Sequence, residues 1–208
     1  MDVDGRDRRG GLLAWGFVLL LLVSEAALAL PDETDTDAFV ADFYAQHRVM
    51  VVALQLVGLV AAGLLAGFSA RLLRLDRVVG TAGLCTAALA VTPGSATIVL
   101  ALVADPSAPG AAGTWNGLLP RADDLLFAGI TLFGAAVSLR LKAHPATATV
   151  GALVALLCLA RLALEAAHHT RGVLESLGPI AFVFLIALLG TMSLRGLLGT
   201  ARPRLRVE

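Results

Sequence analysis

This 208-residue chain has few charged side chains: only 15% of its residues are Asp, Glu, Lys or Arg, whereas 58% are hydrophobic. A soluble domain of this size needs a far more polar surface, so the composition excludes that class and indicates a multi-pass membrane protein. The formal net charge is zero and the sequence has no basic cluster of the kind that covers nucleic acid. The predicted partner is therefore the lipid bilayer, with no nucleic acid.

Cysteine, lysine and asparagine are also rare. The two cysteines, Cys85 and Cys158, both lie inside apolar runs, which favours small packing residues over a disulfide framework. Lys142 is the one lysine beside 15 arginines, and Asn116 is the one asparagine. Together with the abundance of Ala, Gly and Val, this bias is typical of a high-GC bacterial genome. We therefore predict a multi-pass protein of the bacterial cytoplasmic (plasma) membrane.

Six apolar stretches are long enough to cross a hydrocarbon core of ~30 Å as helices. They cover approximately residues 11–30, 49–70, 78–104, 123–141, 148–168 and 177–199. The sequence thus predicts an all-α bundle of about six transmembrane helices in a single domain, 1–208. The Pro/Gly-rich stretch 105–122 is typical of a connecting loop. For the first stretch a cleaved signal peptide is the competing interpretation, because a basic N-terminus precedes it and Ala-Leu-Ala occupies 27–29.

The basic residues predict how the chain is threaded. If the N-terminus is cytoplasmic, 12 of the 16 basic residues lie in cytoplasmic segments, within 1–10, 71–77, 140–142 and 195–206. Short loops on the cytoplasmic side are normally enriched in Lys and Arg. Six spans then return the C-terminus to the same side, so both termini are predicted to be cytoplasmic.

Four polar side chains interrupt the predicted fifth span. Arg161, Glu165, His168 and His169 fall on one stripe of a helix, and charges at membrane depth usually face a bundle interior or a cavity. At 1.5 Å per residue, Arg161 lies ~20 Å from the cytoplasmic face, at about the depth of Glu25 in the first span. The sequence therefore predicts an ion pair of Arg161 with Glu25, or with Glu165 one turn away.

Further polar residues lie near the same outer level. Tyr44, Arg48 and Gln55 share one face of the second helix, and Asp123 and Asp124 open the fourth span. With the residues of the first and fifth spans, they are candidates for a ligand-binding pocket that opens outward. The alternative interpretation is structural: the same groups join helices through ion pairs and anchor them at the interface.

The third span contains Thr-Pro-Gly-Ser at 92–95. Proline removes a backbone hydrogen bond, so Pro93 and Gly94 predict a kinked or broken helix. A kink that fits an over-long helix to the bilayer is one interpretation. A discontinuous helix that offers backbone groups to a ligand, as in transporters, is the other.

The histidines raise the question of a metal or haem. Glu165, His168 and His169, with His47 at the same level, are suitable zinc ligands in type, but adjacent histidines point ~100° apart on a helix and no metal-binding spacing supports them. Bis-histidine haem would need histidines deep within facing spans, and the histidines of this sequence are not placed there. No phosphate loop or nucleophile elbow is recognisable. We predict no cofactor, no metal and no catalytic residue.

Two stretches resemble a known group of sequences. An acidic segment followed by FYAQHR (43–48) and a charge-free span resembles a group of small actinobacterial integral membrane proteins classed as a domain of unknown function, and SLGPIAFVFLIALLGTMSL (176–194) is similar to that group as well. The resemblance implies a multi-spanning membrane protein and provides no catalytic residues.

Three functions remain open from the sequence. The first is a non-enzymatic integral membrane protein, either a packing bundle or a partner subunit, with a protein partner or a homo-oligomer left open. The second is a small-solute or proton-coupled transporter that uses the broken third span and the outer polar residues. The third is a membrane-embedded metalloenzyme.

Overall fold

A computed structural model describes residues 3–32, 34–167 and 174–198. The described residues are mostly helical and include no strand, which confirms the predicted all-α class. In chain order, the helices of this part of the chain are α1 (Val3–Ala26), α2 (Asp37–Leu72), α3 (Arg77–Leu89), α4 (Val91–Val103), α5 (Gly110–Asn116), α6 (Leu119–Arg140), α7 (Pro145–Ala166) and α8 (Leu174–Leu194). Six stretches of helix are long and apolar enough to cross a membrane, as expected for a multi-pass membrane protein.

Helix α2 begins at Asp37, well before the predicted start of the second span at residue 49. Its first turn is capped, because the side chain of Thr36 accepts a hydrogen bond from the backbone N–H of Phe39. Asp37 places a negative charge beside the positive end of the helix dipole. These capping signals extend the helix through the acidic segment that precedes the apolar run.

The fourth span also differs from its prediction, because part of the stretch predicted as a loop is helical. Residues 110–116 form α5, and α6 begins at Leu119 with Pro120 in its first turn. Helix α5 lies against the start of α2 so closely that a Cβ atom on Gly113 would collide with the carboxylate of Asp37. This packing stabilises a short helix that the Pro/Gly-rich composition alone does not predict.

The spans are arranged as a ring. Helix α1 packs against α2 and α8, α8 against α7, and α7 against α6; α6 packs against α3 and α4, which return to α2. Three aromatic rings from α1, α6 and α8 meet edge to face in the centre, with Phe182 6.0 Å from Phe17 and 6.1 Å from Phe133 between ring centroids. The large apolar core therefore fills the middle of the ring.

A second, smaller core lies at one end of the bundle, around Tyr44, Leu100 and Ala112. It joins the start of α2, the end of α4 and α5, beside the connections 27–36 and 104–109. We call this end the acidic end, because these connections carry aspartate. The opposite end, with the connections 73–76 and 141–144, is called the basic end.

Helices α6 and α7 make a close backbone contact. A Cβ atom on Gly134 would lie 2.7 Å from the carbonyl oxygen of Gly151, and one on Gly151 would lie 2.8 Å from the carbonyl oxygen of Gly134. Only glycine permits this approach at either position. The contact fixes the side of α6 that faces α7, so the other side of α6 is directed toward α4.

Candidate functional site

A cavity of about 580 Å³ lies between α1, α2, α4 and α6, in the half of the bundle nearer the acidic end. The connection 27–36 borders it through Leu30, Pro31 and Asp32. Phe17, part of the central aromatic cluster, also lines it. The volume is in the range of pockets that hold small molecules, roughly 300–1,000 Å³.

Three carboxylates line the cavity. Glu25 comes from the end of α1, Asp32 from the connection that follows, and Asp123 from α6. No lysine, arginine or histidine among the described residues lines it. The charge of the described lining is therefore entirely negative.

The break in the third span opens onto this cavity. The span divides at Ala90, between α3 and α4, and Pro93 lies in the first turn of α4. Because proline has no N–H, the carbonyl of Leu89 loses its usual helical partner, and the Thr92 hydroxyl donates a hydrogen bond to it instead, at 2.6 Å. The local sequence thus both interrupts the helix and satisfies a backbone acceptor that the interruption exposes.

Gly94 brings the backbone of the break close to α2. A Cβ atom there would lie 3.3 Å from Oε1 of Gln55, so the Gln55 amide extends across the cavity wall toward the break. A larger side chain at position 94 would have to displace that amide.

Two neutral polar side chains of the lining have unused hydrogen-bonding capacity. Thr97, on α4, is 4% exposed, and within the described ranges its hydroxyl has no hydrogen-bond partner. The same holds for the amide of Gln55 on α2. Both groups border the open volume of the cavity, so they are available to bind a polar solute there.

The connection 27–36 is held against α5 by a side-chain hydrogen bond. Nδ2 of Asn116 donates to the carbonyl oxygen of Asp32 at 3.0 Å. Asn116 itself is buried and lines the cavity. The one asparagine of the chain therefore fastens the connection that borders the cavity at the acidic end.

Arg161 lies outside the cavity, between α7 and α6. Its side chain is 0% exposed, Nη1 forms an ion pair with the carboxylate of Asp124, and its guanidinium carbon is 4.2 Å from the ring centroid of Phe127. The predicted partners were Glu25 and Glu165, so the structure corrects this prediction. Nε and Nη2 have no hydrogen-bond partner among the described residues.

The other candidates on α2 are separated from Gln55. Arg48 donates from Nε to the carbonyl of Ala101 at 2.9 Å and from Nη2 to the carbonyl of Ala104 at 2.8 Å. It therefore closes the C-terminal end of α4, where a cation is favourable. Tyr44 is buried in the second core, one turn before Arg48. The shared helical face predicted for these residues does not place them in one site.

Of the fifth-span candidates beyond Arg161, Glu165 lies within the described residues. Glu165 is half-buried near the end of α7. His168 and His169 lie outside the described residues. Within the described ranges, no group of three His, Cys, Asp or Glu side chains is placed to hold a metal ion.

The structure thus brings together Glu25, Gln55, Pro93, Gly94 and Asp123 of the sequence candidates, and leaves Tyr44, Arg48, Asp124, Arg161 and Glu165 outside the cavity. The cavity also contains Thr97 and Asn116, which sequence reasoning missed. Asn116 had a signal, as a unique polar residue, whereas Thr97 is an ordinary residue in an apolar run.

Scans against protein-family models, curated proteins and solved structures return no match to this chain. The resemblance to the actinobacterial group of unknown function stays a prediction.

Proposed function

We propose that this protein is a small-solute transporter of the bacterial plasma membrane. The observation that supports this most directly is the cavity beside the interruption of the third span, where Pro93, Gly94 and the polar side chain of Thr97 line an open volume. Intramembrane cavities beside discontinuous helices are where transporters bind their substrates.

The position of the cavity fits the stage of transport in which the protein is open to the outside. It lies toward the acidic end, and the aromatic cluster of Phe17, Phe133 and Phe182 fills the centre of the ring beneath it. With both termini in the cytoplasm, as the basic residues predict, the cavity belongs to the outer half of the membrane. The proposal is then a bundle that receives a solute from outside and has a packed aromatic barrier on the inner side.

The alternative function is a packing or partner subunit without a substrate. The pair of Arg161 and Asp124 favours it for one part of the molecule, because this pair joins α6 to α7 and lies away from the cavity. A purely structural protein would not need the cavity to be accessible, so the two functions differ in a measurable property.

Two glycines on α2 provide a matched test. A Cβ atom on Gly58 would lie 3.8 Å from Ser24 Oγ at the cavity wall, whereas one on Gly63 would have no atom within 4 Å. Gly58→Leu should place a side chain inside the cavity and obstruct it, and Gly63→Leu should add a side chain to the outer surface of the same helix.

The measurement is thermal unfolding of the purified protein with three five-carbon probes: 1,5-diaminopentane, 1,5-pentanediol and glutarate. At least one probe should raise the unfolding temperature of the unmodified protein and of Gly63→Leu, but not of Gly58→Leu, because binding to the folded state stabilises it. Proteoliposomes should take up the same probe with the same dependence on the variant. Equal responses of the two variants, or no response to any probe, would contradict a solute-binding cavity.

The orientation has its own test. In a Cys85→Ala background, Ala111→Cys on α5 should react with an impermeant thiol reagent in intact cells, and Arg74→Cys at the basic end should be protected. Reaction of Arg74→Cys from outside would reverse the threading and place the cavity on the cytoplasmic side.

A further inference from the structure

The charge of the cavity identifies the class of solute, provided that the cavity is a solute site as proposed above. Its described lining contains the carboxylates of Glu25, Asp32 and Asp123 and no cationic side chain. The buried Arg161 does not contribute a positive charge to the lining, because it lies on the other side of α6 and is paired with Asp124. An anionic solute would therefore meet only negative charge in this lining, and a cation would be attracted.

The neutral groups of the wall can bind the same class of solute. The hydroxyl of Thr97 and the amide oxygen of Gln55 can each accept a hydrogen bond, and neither makes one within the described part of the chain. A protonated amine is a donor at each of its N–H groups and has no acceptor. Both oxygens face the open volume of the cavity, so an amine bound there could donate a hydrogen bond to each.

The size of the cavity favours an organic cation over a metal ion. A volume of about 580 Å³ exceeds what a bare ion occupies and suits a small molecule. The lining carboxylates also come from α1, the connection 27–36 and α6, and no metal-binding cluster is found among the described residues. An organic amine with one or two charges can extend between carboxylates that lie this far apart in the chain's fold.

We infer that the cavity between α1, α2, α4 and α6 binds a small organic cation with at least one protonated amine, held by Glu25 and by the acceptors of Thr97 and Gln55. The carboxylate of Glu25 supplies the charge, since no ion pair or hydrogen bond engages it within the described residues.

Thiol chemistry tests this inference without a known substrate. Thr97→Cys in a Cys85→Ala background places a thiol at the cavity wall, while the native Cys158 stays buried. The thiol is treated with three methanethiosulfonates built on the same two-carbon chain: the cationic 2-aminoethyl, the neutral 2-hydroxyethyl and the anionic 2-sulfonatoethyl compound. Rates are divided by those of a free thiol in solution and by those of Ala111→Cys, a surface site on α5 at the same acidic end.

The corrected rate of the cationic reagent should exceed that of the anionic reagent by about tenfold or more at low salt. Adding Glu25→Gln should reduce this preference severalfold. Asp42→Asn, which removes an exposed carboxylate that accepts a hydrogen bond from Gln46 on α2, should leave it unchanged.

The outcomes separate this inference from the proposed function. If the neutral and anionic reagents react as fast as the cationic one, the cavity is open but does not select cations, and only the inference fails. If no reagent reacts at Thr97→Cys although Ala111→Cys does, the cavity is closed to solutes and the proposed function fails too. Gly58→Cys, at a roomier point of the same wall, repeats the measurement should the first variant fail to fold.

Discussion

Two neighbouring aspartates of α6 point to different sides of the helix and have different surroundings. Asp123 lines the cavity between α1, α2 and α4, whereas Asp124, ~100° around the helix, forms an ion pair with Arg161 of α7. Asp124 pairs with Arg161 among packed side chains, whereas Asp123 borders an open volume whose described lining also contains the carboxylates of Glu25 and Asp32. In a membrane bundle a polar residue alone does not indicate a ligand site; the surrounding volume and charge balance distinguish a structural contact from a binding site.

The packed side of α6 should be the more sensitive to mutation. Arg161→Ala removes the partner of Asp124 and empties a fully buried position, so we expect a loss of about 3 kcal/mol in the free energy of unfolding. Chemical unfolding of the purified protein measures it. Glu25→Gln, on the cavity side, should cost far less.

A double-mutant cycle sharpens this result. Arg161→Met combined with Asp124→Leu replaces both charges by apolar side chains, and it should recover most of the stability that Arg161→Met loses alone. Additive losses in the cycle would mean that the two side chains do not depend on each other, and the assignment of Asp124 as the partner would be wrong.

The glycine contact between α6 and α7 should give the next largest effect. Gly134→Ala places a methyl group against the backbone of Gly151, so we expect a loss of about 1–3 kcal/mol in the free energy of unfolding. Gly63→Ala, whose methyl group meets open space, is the matched control. A loss equal to that of the control would show that α6 and α7 can separate without cost.

The smallest expected loss in the free energy of unfolding concerns the basic end of α6. There Arg140 forms an ion pair with Asp76 at 3.0 Å. Asp76 also accepts hydrogen bonds from the backbone N–H groups of Val78 and Val79 at the start of α3. Burial raises the pKa of Asp76, but the hydrogen bonds from Val79, Arg140 and Val78 and the charge of Arg140 together hold its pKa below the usual range. Asp76→Ala should cost about 1 kcal/mol at neutral pH.

The sign of the pH dependence follows from that lowered pKa. The contribution of Asp76 is complete at pH values above its ordinary pKa of about 4 and is lost as the pH falls through its lower value in the folded protein. The stability difference between the unmodified protein and Asp76→Ala should therefore shrink on acidification. A difference that stays constant from neutral to strongly acidic pH would mean that the carboxylate charge is not involved.

Composition and the length of the hydrophobic runs were enough to predict the helical class. They were not enough to predict the partner of Arg161. Depth along the spans correctly demanded an opposite charge inside the membrane. The search missed Asp124 because the fourth span was predicted to begin at Asp123, which put both aspartates at the membrane rim. In the structure α6 begins at Leu119, so Asp124 lies in the second turn of the helix, where it pairs with Arg161.

The cavity was predictable only in part. Pro93 and Gly94 mark the break by backbone chemistry, and Glu25 and Gln55 stand out as polar residues in apolar runs. Thr97 carries no such signal, since threonine is common in membrane helices and only the neighbouring helices decide what its hydroxyl faces. Which of two adjacent aspartates turns toward the cavity depends on the contact of α6 with α7, which no local pattern encodes.

Helix α2 has a consequence for the thickness of the protein. Its 36 residues contain no proline and span about 54 Å, roughly 24 Å more than a hydrocarbon core of ~30 Å. Even when tilted, such a rod extends past the lipid tails, and the second core around Tyr44 is built on its extension together with the end of α4 and α5. One uninterrupted helix therefore joins the second core to the wall of the cavity, because Tyr44 of that core and Gln55 of the wall both belong to α2.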